Sequence, residues 1–256
     1  MSLINKIPGV VFTQPLPKLY REAVIGTSTL AAYDAINTAS WPKQAAPVTG
    51  VPSSDKWVNL VSGTADGLLN LAGSGDIGFS GGFTLNGGTR SMKLLNNTLP
   101  SAPSKVLGIT WFKHRAQTNT TTDCILNCAQ WIGLYMAQAA QTNVAANRFY
   151  LTGQGSANRE IPIGAPVVGS VYQIAVYYES VTRIAKAFVN GVEVLSVGGF
   201  ADLTTGTDGL WVGLRTGMSA AYVGTIDRVV IDTLTDGRTA AEVVALDYAL
   251  NAGRFS

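Results

Sequence analysis

The chain has 256 residues, of which 13% are charged and 28 are glycine, and its formal net charge is +2. That length can bury a sizeable core, and the composition suits short strands and tight turns rather than long helices. A charge this small, spread along the sequence without a basic run, excludes a groove for a phosphate backbone and with it nucleic acid as a partner.

No apolar run reaches the roughly 18 residues needed to cross a bilayer, so membrane insertion is not expected. Asn5, Lys6 and Pro8 interrupt the first apolar residues. A secretory signal is therefore not expected, and synthesis in a cytoplasm follows. Residues 1–27 hold Pro8, Pro15 and Pro17 among Val10, Val11, Phe12, Leu16, Leu19 and Tyr20, with no sustained period. Prolines keep such a segment out of a central strand, while its apolar content argues against a solvated tail. It reads as an extended arm, either strapped across its own domain or anchored on a neighbouring subunit.

Thr29 to Asp34 reads as a first strand, followed by a long loop holding Trp41, Pro42, Pro47 and Pro52, and then by Trp57 to Val61. Gly73-Ser-Gly-Asp-Ile-Gly78 fits G-x-G-x-x-G. A dinucleotide site needs a helix to follow, and Phe79-Ser-Gly-Gly-Phe83 cannot be one, so no cofactor is expected. Phe83 to Leu85 and Ser91 to Leu95 read as strands about a Gly87-Gly88 turn. Val106 to Lys113 is the next, with Trp111 as a core aromatic. His114 adjoins Arg115 with no acid or cysteine nearby and reads as a surface histidine.

Cys124 to Ala129, Trp131 to Met136 and Arg148 to Leu151 continue the series. Four residues apart on a strand, Cys124 and Cys128 would have Cα atoms about 13 Å apart, too far for a disulfide. With one histidine in the chain they are also short of metal partners, so free structural thiols and no metal are expected. Asn96 and Asn119 open glycosylation sequons that go unused without a secretory signal.

Val171 to Tyr178, Ala185 to Val189 and Val192 to Leu195 alternate polar and apolar residues, and Asn190-Gly191 supplies a type I′ hairpin turn. Leu210 to Leu214 and Tyr222 to Ile231 are the last strands. Thr239 and Glu242 then form a capping box opening a helix over 239–252, with Val243, Val244, Leu246 and Leu250 as its apolar stripe and Gly253 as its stop.

In order, Tyr172-Gln-Ile-Ala-Val-Tyr-Tyr, Ala185-Lys-Ala-Phe-Val-Asn-Gly-Val-Glu-Val194, Gly209-Leu-Trp-Val-Gly-Leu-Arg215, Tyr222-Val-Gly-Thr-Ile-Asp-Arg-Val-Val-Ile231 and Thr239-Ala-Ala-Glu-Val-Val-Ala-Leu246 resemble the concanavalin A-like, laminin-G-like jelly-roll superfamily. The resemblance covers residues 170–250 and extends with less specific motifs back to residue 28. It implies an all-β fold, a two-sheet antiparallel jelly-roll sandwich over 28–256 that includes the C-terminal helix and follows the 1–27 arm. It implies no single activity, because this fold hosts lectins, glycosidases, adhesion modules and virion proteins.

Sandwich glycosidases of the related glucanase group carry Glu-x-Asp-x-x-Glu on one strand. No two carboxylates here are two residues apart, so no catalytic residues are expected. Asp227 matches the family's G-x-I-D aspartate and could contact calcium, a sugar, or a local turn. Asp202 and Asp208 lie in a loop without the dense acidic cluster calcium needs, so the turn contact is preferred. Trp41, Trp211 and Tyr222 are the aromatics that could stack on a glycan.

A neutral, glycine-rich sandwich with an apolar arm resembles the jelly-roll proteins of tailed bacteriophages. The resemblance implies a non-enzymatic virion structural protein, a capsid decoration or a tail or baseplate component. Its partners would be other virion proteins, further copies of itself in a homo-oligomer, and host surface glycan. A free lectin module and a sandwich glycoside hydrolase are the alternatives.

Overall fold

The computed structural model describes residues 22–44, 49–61, 63–69, 77–87, 92–94, 103–117, 122–128, 132–153, 155–201, 209–214 and 222–255. The early strands are β1 (Thr29–Asp34), β2 (Lys56–Trp57), β3 (Gly67–Leu69), β4 (Gly78–Phe79), β5 (Phe83–Asn86) and β6 (Met92–Leu94). Next come β7 (Lys105–His114), β8 (Thr122–Cys128), β9 (Ile132–Ala137), β10 (Arg148–Thr152) and β11 (Arg159–Glu160). The last are β12 (Val171–Glu179), β13 (Ile184–Val189), β14 (Val192–Val197), β15 (Leu210–Val212) and β16 (Val223–Asp232), before helix α1 (Ala240–Asn251).

These strands form two antiparallel sheets. Sheet A runs β14-β13-β12-β7-β16-β5-β4 with β1 also on β16, and sheet B runs β11-β10-β9-β8-β15-β6-β3-β2. Period-two alternation sends one side chain in two to a shared core. Phe83, Phe112, Ile174, Val176 and Ile226 from sheet A meet Met92, Leu126, Leu134, Phe149 and Leu210 from sheet B. The expected two-sheet sandwich with one C-terminal helix is the observed fold.

Asn190 and Gly191 both have positive φ, 49° and 84°, as the type I′ turn between β13 and β14 requires. Gln173 of β12 ties that turn to the helix. Its Oε1 accepts from the Gly191 N–H at 2.8 Å, and its Nε2 donates to the Val244 carbonyl at 3.1 Å and to Asp247 Oδ2 at 2.9 Å.

The capping box is formed as expected, but the buried face of α1 is not the expected stripe. Leu246 and Leu250 are 38% and 50% exposed, while Asp247 and Asn251 turn inward. The reason lies on the sheet. Arg228, fully buried on β16, donates from Nε to Asp247 Oδ1 at 2.9 Å, and the Trp111 indole donates to Asp247 Oδ2 at 2.6 Å. A buried guanidinium without carboxylates is far more costly than two exposed leucines.

Around this ion pair, α1 buries Val243 and Val244 against Ile109, Trp111, Ala175 and Val230 on the outer face of sheet A, joined by Val24 and Phe255. Glu22 also reaches Arg228 at 2.7 Å, so the end of the segment expected as an arm lies on the sandwich. Residues 1–21, and with them Val10, Val11, Phe12, Leu16, Leu19 and Tyr20, are outside the described residues. Among the described residues, no helix covers the outer face of sheet B, and none is long and apolar enough to cross a membrane.

Candidate functional site on the outer face of sheet B

Three short strands meet at the middle of sheet B. On β6, Met92 and Leu94 point to the core; on β15, Leu210 and Val212 do; on β8, Leu126 and Cys128 do. Alternation therefore sends Lys93, Trp211 and Asn127 to the outer face. Register aligns them, since Trp211 lies opposite Lys93 on one side and Asn127 on the other. The row continues through Leu68 to Lys56 at one end and through Gly133 to Thr152 at the other.

Gly133 explains how the row is closed. A side chain there would overlap the Tyr135 ring, so glycine lets that ring lean across the neighbouring strand. The Tyr135 hydroxyl then donates to Asn127 Oδ1 at 3.1 Å, and its ring stacks on Tyr150 with centroids 5.5 Å apart. Asn127 is 2% exposed, yet its Nδ2 has no hydrogen-bond partner. A buried amide donor left unsatisfied costs about 1–3 kcal/mol. Lys93 Nζ lies 5.4 Å from the centroid of the Trp211 ring, a cation–π contact at a half-buried indole. The row thus sets an ammonium group beside an aromatic plate.

Of the three aromatics proposed from sequence to stack on glycan, only Trp211 is on this face. Trp41 is 1% exposed and packs edge-on against Phe83 at 4.9 Å, deep between the sheets. Tyr222 is fully buried, edge-on to Phe112 at 5.7 Å. Both are core side chains, because each ring finds an apolar enclosure that a sugar cannot enter. Lys93 and Asn127 were missed by sequence reasoning. Each shows only the weak signal of a polar residue between two inward apolar ones, which every half-wet strand shares.

His114 is not on the surface. It is 3% exposed, with Nδ1 3.1 Å from the Tyr222 hydroxyl, and burial lowers its pKa to about 4, so it is neutral at pH 7. Cys124 and Cys128 are free and buried, as expected, and burial raises the Cys128 thiol to about 12. Among the described residues, no group of three or more His, Cys, Asp or Glu side chains is arranged to hold a metal ion. The sequons at Asn96 and Asn119, the pair Asp202 and Asp208, and Gly73 to Asp76 are outside the described residues, while Gly78 enters a strand.

Asp227 is the extra residue of a β-bulge, since Ile226 opposes Phe112 and Arg228 opposes Trp111. Burial, reinforced by Asp34 and opposed by Lys113, raises its pKa from 3.8 to about 8. A carboxyl whose folded pKa is raised favours the fold at low pH, and that contribution fades as pH climbs from its unfolded value through about 8. His114 runs the other way, with its contribution lost as pH falls from 6.5 toward 4. The two slopes oppose one another below pH 6.5, and above it Asp227 acts alone. Stability is therefore expected to drop between pH 6.5 and 8 by about 1.4 kcal/mol per pH unit at most, and Asp227→Asn to abolish the drop. Urea denaturation across that range checks it; equal slopes in both proteins would refute the assignment.

Comparison with known proteins agrees with this architecture. Domain 4 of AbnA, a GH43 extracellular arabinanase from Geobacillus stearothermophilus solved in complex with arabinotriose, superposes with a TM-score of 0.57 at 16% identity, covering 86% of this chain and 98% of that one. A Trypanosoma rangeli sialidase superposes with a TM-score of 0.59 at 11% identity over 90% of this chain, which spans 34% of the sialidase. At such identities the likeness is one of fold. No curated protein sequence matches the chain. The family model described as concanavalin A-like lectin/glucanases superfamily matches residues 86–243, from β5 into α1 and through every strand of the candidate face from β6 to β10. The chain belongs to the concanavalin A-like lectin/glucanases superfamily.

Proposed function

We propose that the chain is a non-catalytic carbohydrate-binding sandwich that takes a saccharide on the outer face of sheet B. The observation that carries this is the half-buried Trp211 indole on the outer face, with the Lys93 ammonium 5.4 Å from its ring centroid. Sugar rings present an apolar C–H face to an aromatic plate and hydroxyl oxygens to a donor, and this pair supplies both. The likeness to a domain solved with arabinotriose supports a saccharide as the ligand class. The arrangement of carboxylates supports a role without catalysis. Glu22, Asp34 and Asp247 converge on buried Arg228 beneath the helix, where each is neutralised and the Asp34 and Asp247 side chains are sealed from solvent.

Trp211→Ala is expected to weaken saccharide binding about tenfold, the loss of roughly 1.5 kcal/mol of aromatic contact. Glycan-array screening followed by calorimetry of the wild type and variant reads this directly. Unchanged affinity in a folded variant would move the site elsewhere.

Display of this face on a virion, with residues 1–27 binding the particle or neighbouring copies, is the second reading. The Glu22–Arg228 ion pair supports it by giving such a segment a fixed root. Native mass spectrometry of the full chain, with and without Phe12→Asp, tests whether those residues hold copies together.

A further inference from the structure

Among the described residues the charges along the middle of the candidate face are basic, and the acid on this face, Glu160 of β11 opposite Tyr150, lies at its edge. Along β2, β3, β6, β15, β8, β9 and β10 the ionisable acid or base side chains are Lys56, Lys93, Asp123 and Arg148. Asp123 lies opposite Met136, a core residue, so it shares the inner face, where Gln138 Nε2 donates to its Oδ2 at 2.7 Å. Lys56, Lys93 and Arg148 remain outside. Arg148 is answered by Glu160 of β11 at 3.4 Å, but Lys56 and Lys93 have no carboxylate partner among the described residues. Two ammonium groups in this row with no carboxylate partner among the described residues favour a ligand of negative charge.

Lys93 is placed to use that charge. It lies directly opposite Trp211 on the neighbouring strand, about 5 Å away, so a sugar stacked on the ring has its substituents within reach of the ammonium. With no ligand the ammonium rests on the indole. Its flexible stem lets it swing off the ring to meet an anion while the ring takes the sugar's C–H face.

We infer that the pair Lys93–Trp211 selects saccharides carrying an anionic substituent, a carboxylate or a sulfate, with Lys93 as the residue that sets the preference. This rests on the saccharide-binding reading above and names the class of ligand within it.

The test titrates the full chain by calorimetry with three trisaccharides: neutral arabinotriose, trigalacturonate and a sulfated galactotriose. At low salt at least one anionic trimer is expected to bind five- to tenfold more tightly than arabinotriose, and which one does identifies the anion. Lys93→Gln is expected to bring that ratio close to one, and added salt to shrink the ratio in the wild type only. Thermal melting of Lys93→Gln should match the wild type, since the side chain lies on the outer face. Equal binding of all three trimers, or an anionic preference that survives Lys93→Gln, overturns the inference while leaving the saccharide reading intact. Absence of binding by all three overturns both.

Discussion

Replacing Arg228 with leucine is expected to destabilise the fold by about 3–5 kcal/mol, because it strands buried carboxylates rather than because it removes a favourable contact. The guanidinium meets Asp247 at 2.9 Å, Asp34 at 3.0 Å and Glu22 at 2.7 Å, and the Asp247 and Asp34 side chains are fully buried. Burial opposes the Arg228 charge, but Asp247 and then Glu22 outweigh it and hold its pKa above the ordinary arginine value. Arg254 also reaches Asp34 at 3.0 Å and softens the loss at that carboxylate. Asp247 would keep its indole and Gln173 donors yet lose its counter-charge. Arg228→Lys should fall between, since one ammonium cannot bridge carboxylates held apart by a guanidinium fork. Urea denaturation measures both, and a loss below about 1 kcal/mol in Arg228→Leu would show that the network is dispensable.

Trp41→Ala is expected to cost about as much, 3–5 kcal/mol, through the cavity left among Phe79, Phe83 and their neighbours. Saccharide affinity should not change. This is the mirror image of Trp211→Ala, which is expected to lose affinity and keep stability. Trp41→Phe should be milder than alanine for two reasons. It refills part of the volume, and it removes an indole N–H that is buried without an acceptor. Weakened binding by a Trp41→Ala protein that melts like the wild type would place Trp41 at the ligand and refute its role as core.

Much of the architecture is written in local pattern. Gln173, Lys186 and Glu193 alternate with apolar residues and sit on strands β12, β13 and β14. Asn190-Gly191 turns as its positive φ values demand, and Thr239 with Glu242 caps the helix. Each of these depends on residues close together in the chain, where dihedral preference and hydrogen-bond reach settle the outcome.

The site was not legible in that way. Trp41, Trp211 and Tyr222 are similar aromatics in similar surroundings of sequence, and no local term separates a ring enclosed by Phe79 and Phe83 from one opposite Lys93. His114 next to Arg115 reads as surface, but the start of β16 brings Tyr222 against it. Leu246 reads as the helix's inward face, but Arg228 claims Asp247 instead.

Period-two alternation therefore assigned each residue to one side of its own strand, and no further. It could not say that β6, β15 and β8 would lie side by side, because strand order is chosen by the joint burial of segments far apart in sequence and leaves no mark on any one of them. Lys93, Trp211 and Asn127 meet only through that choice.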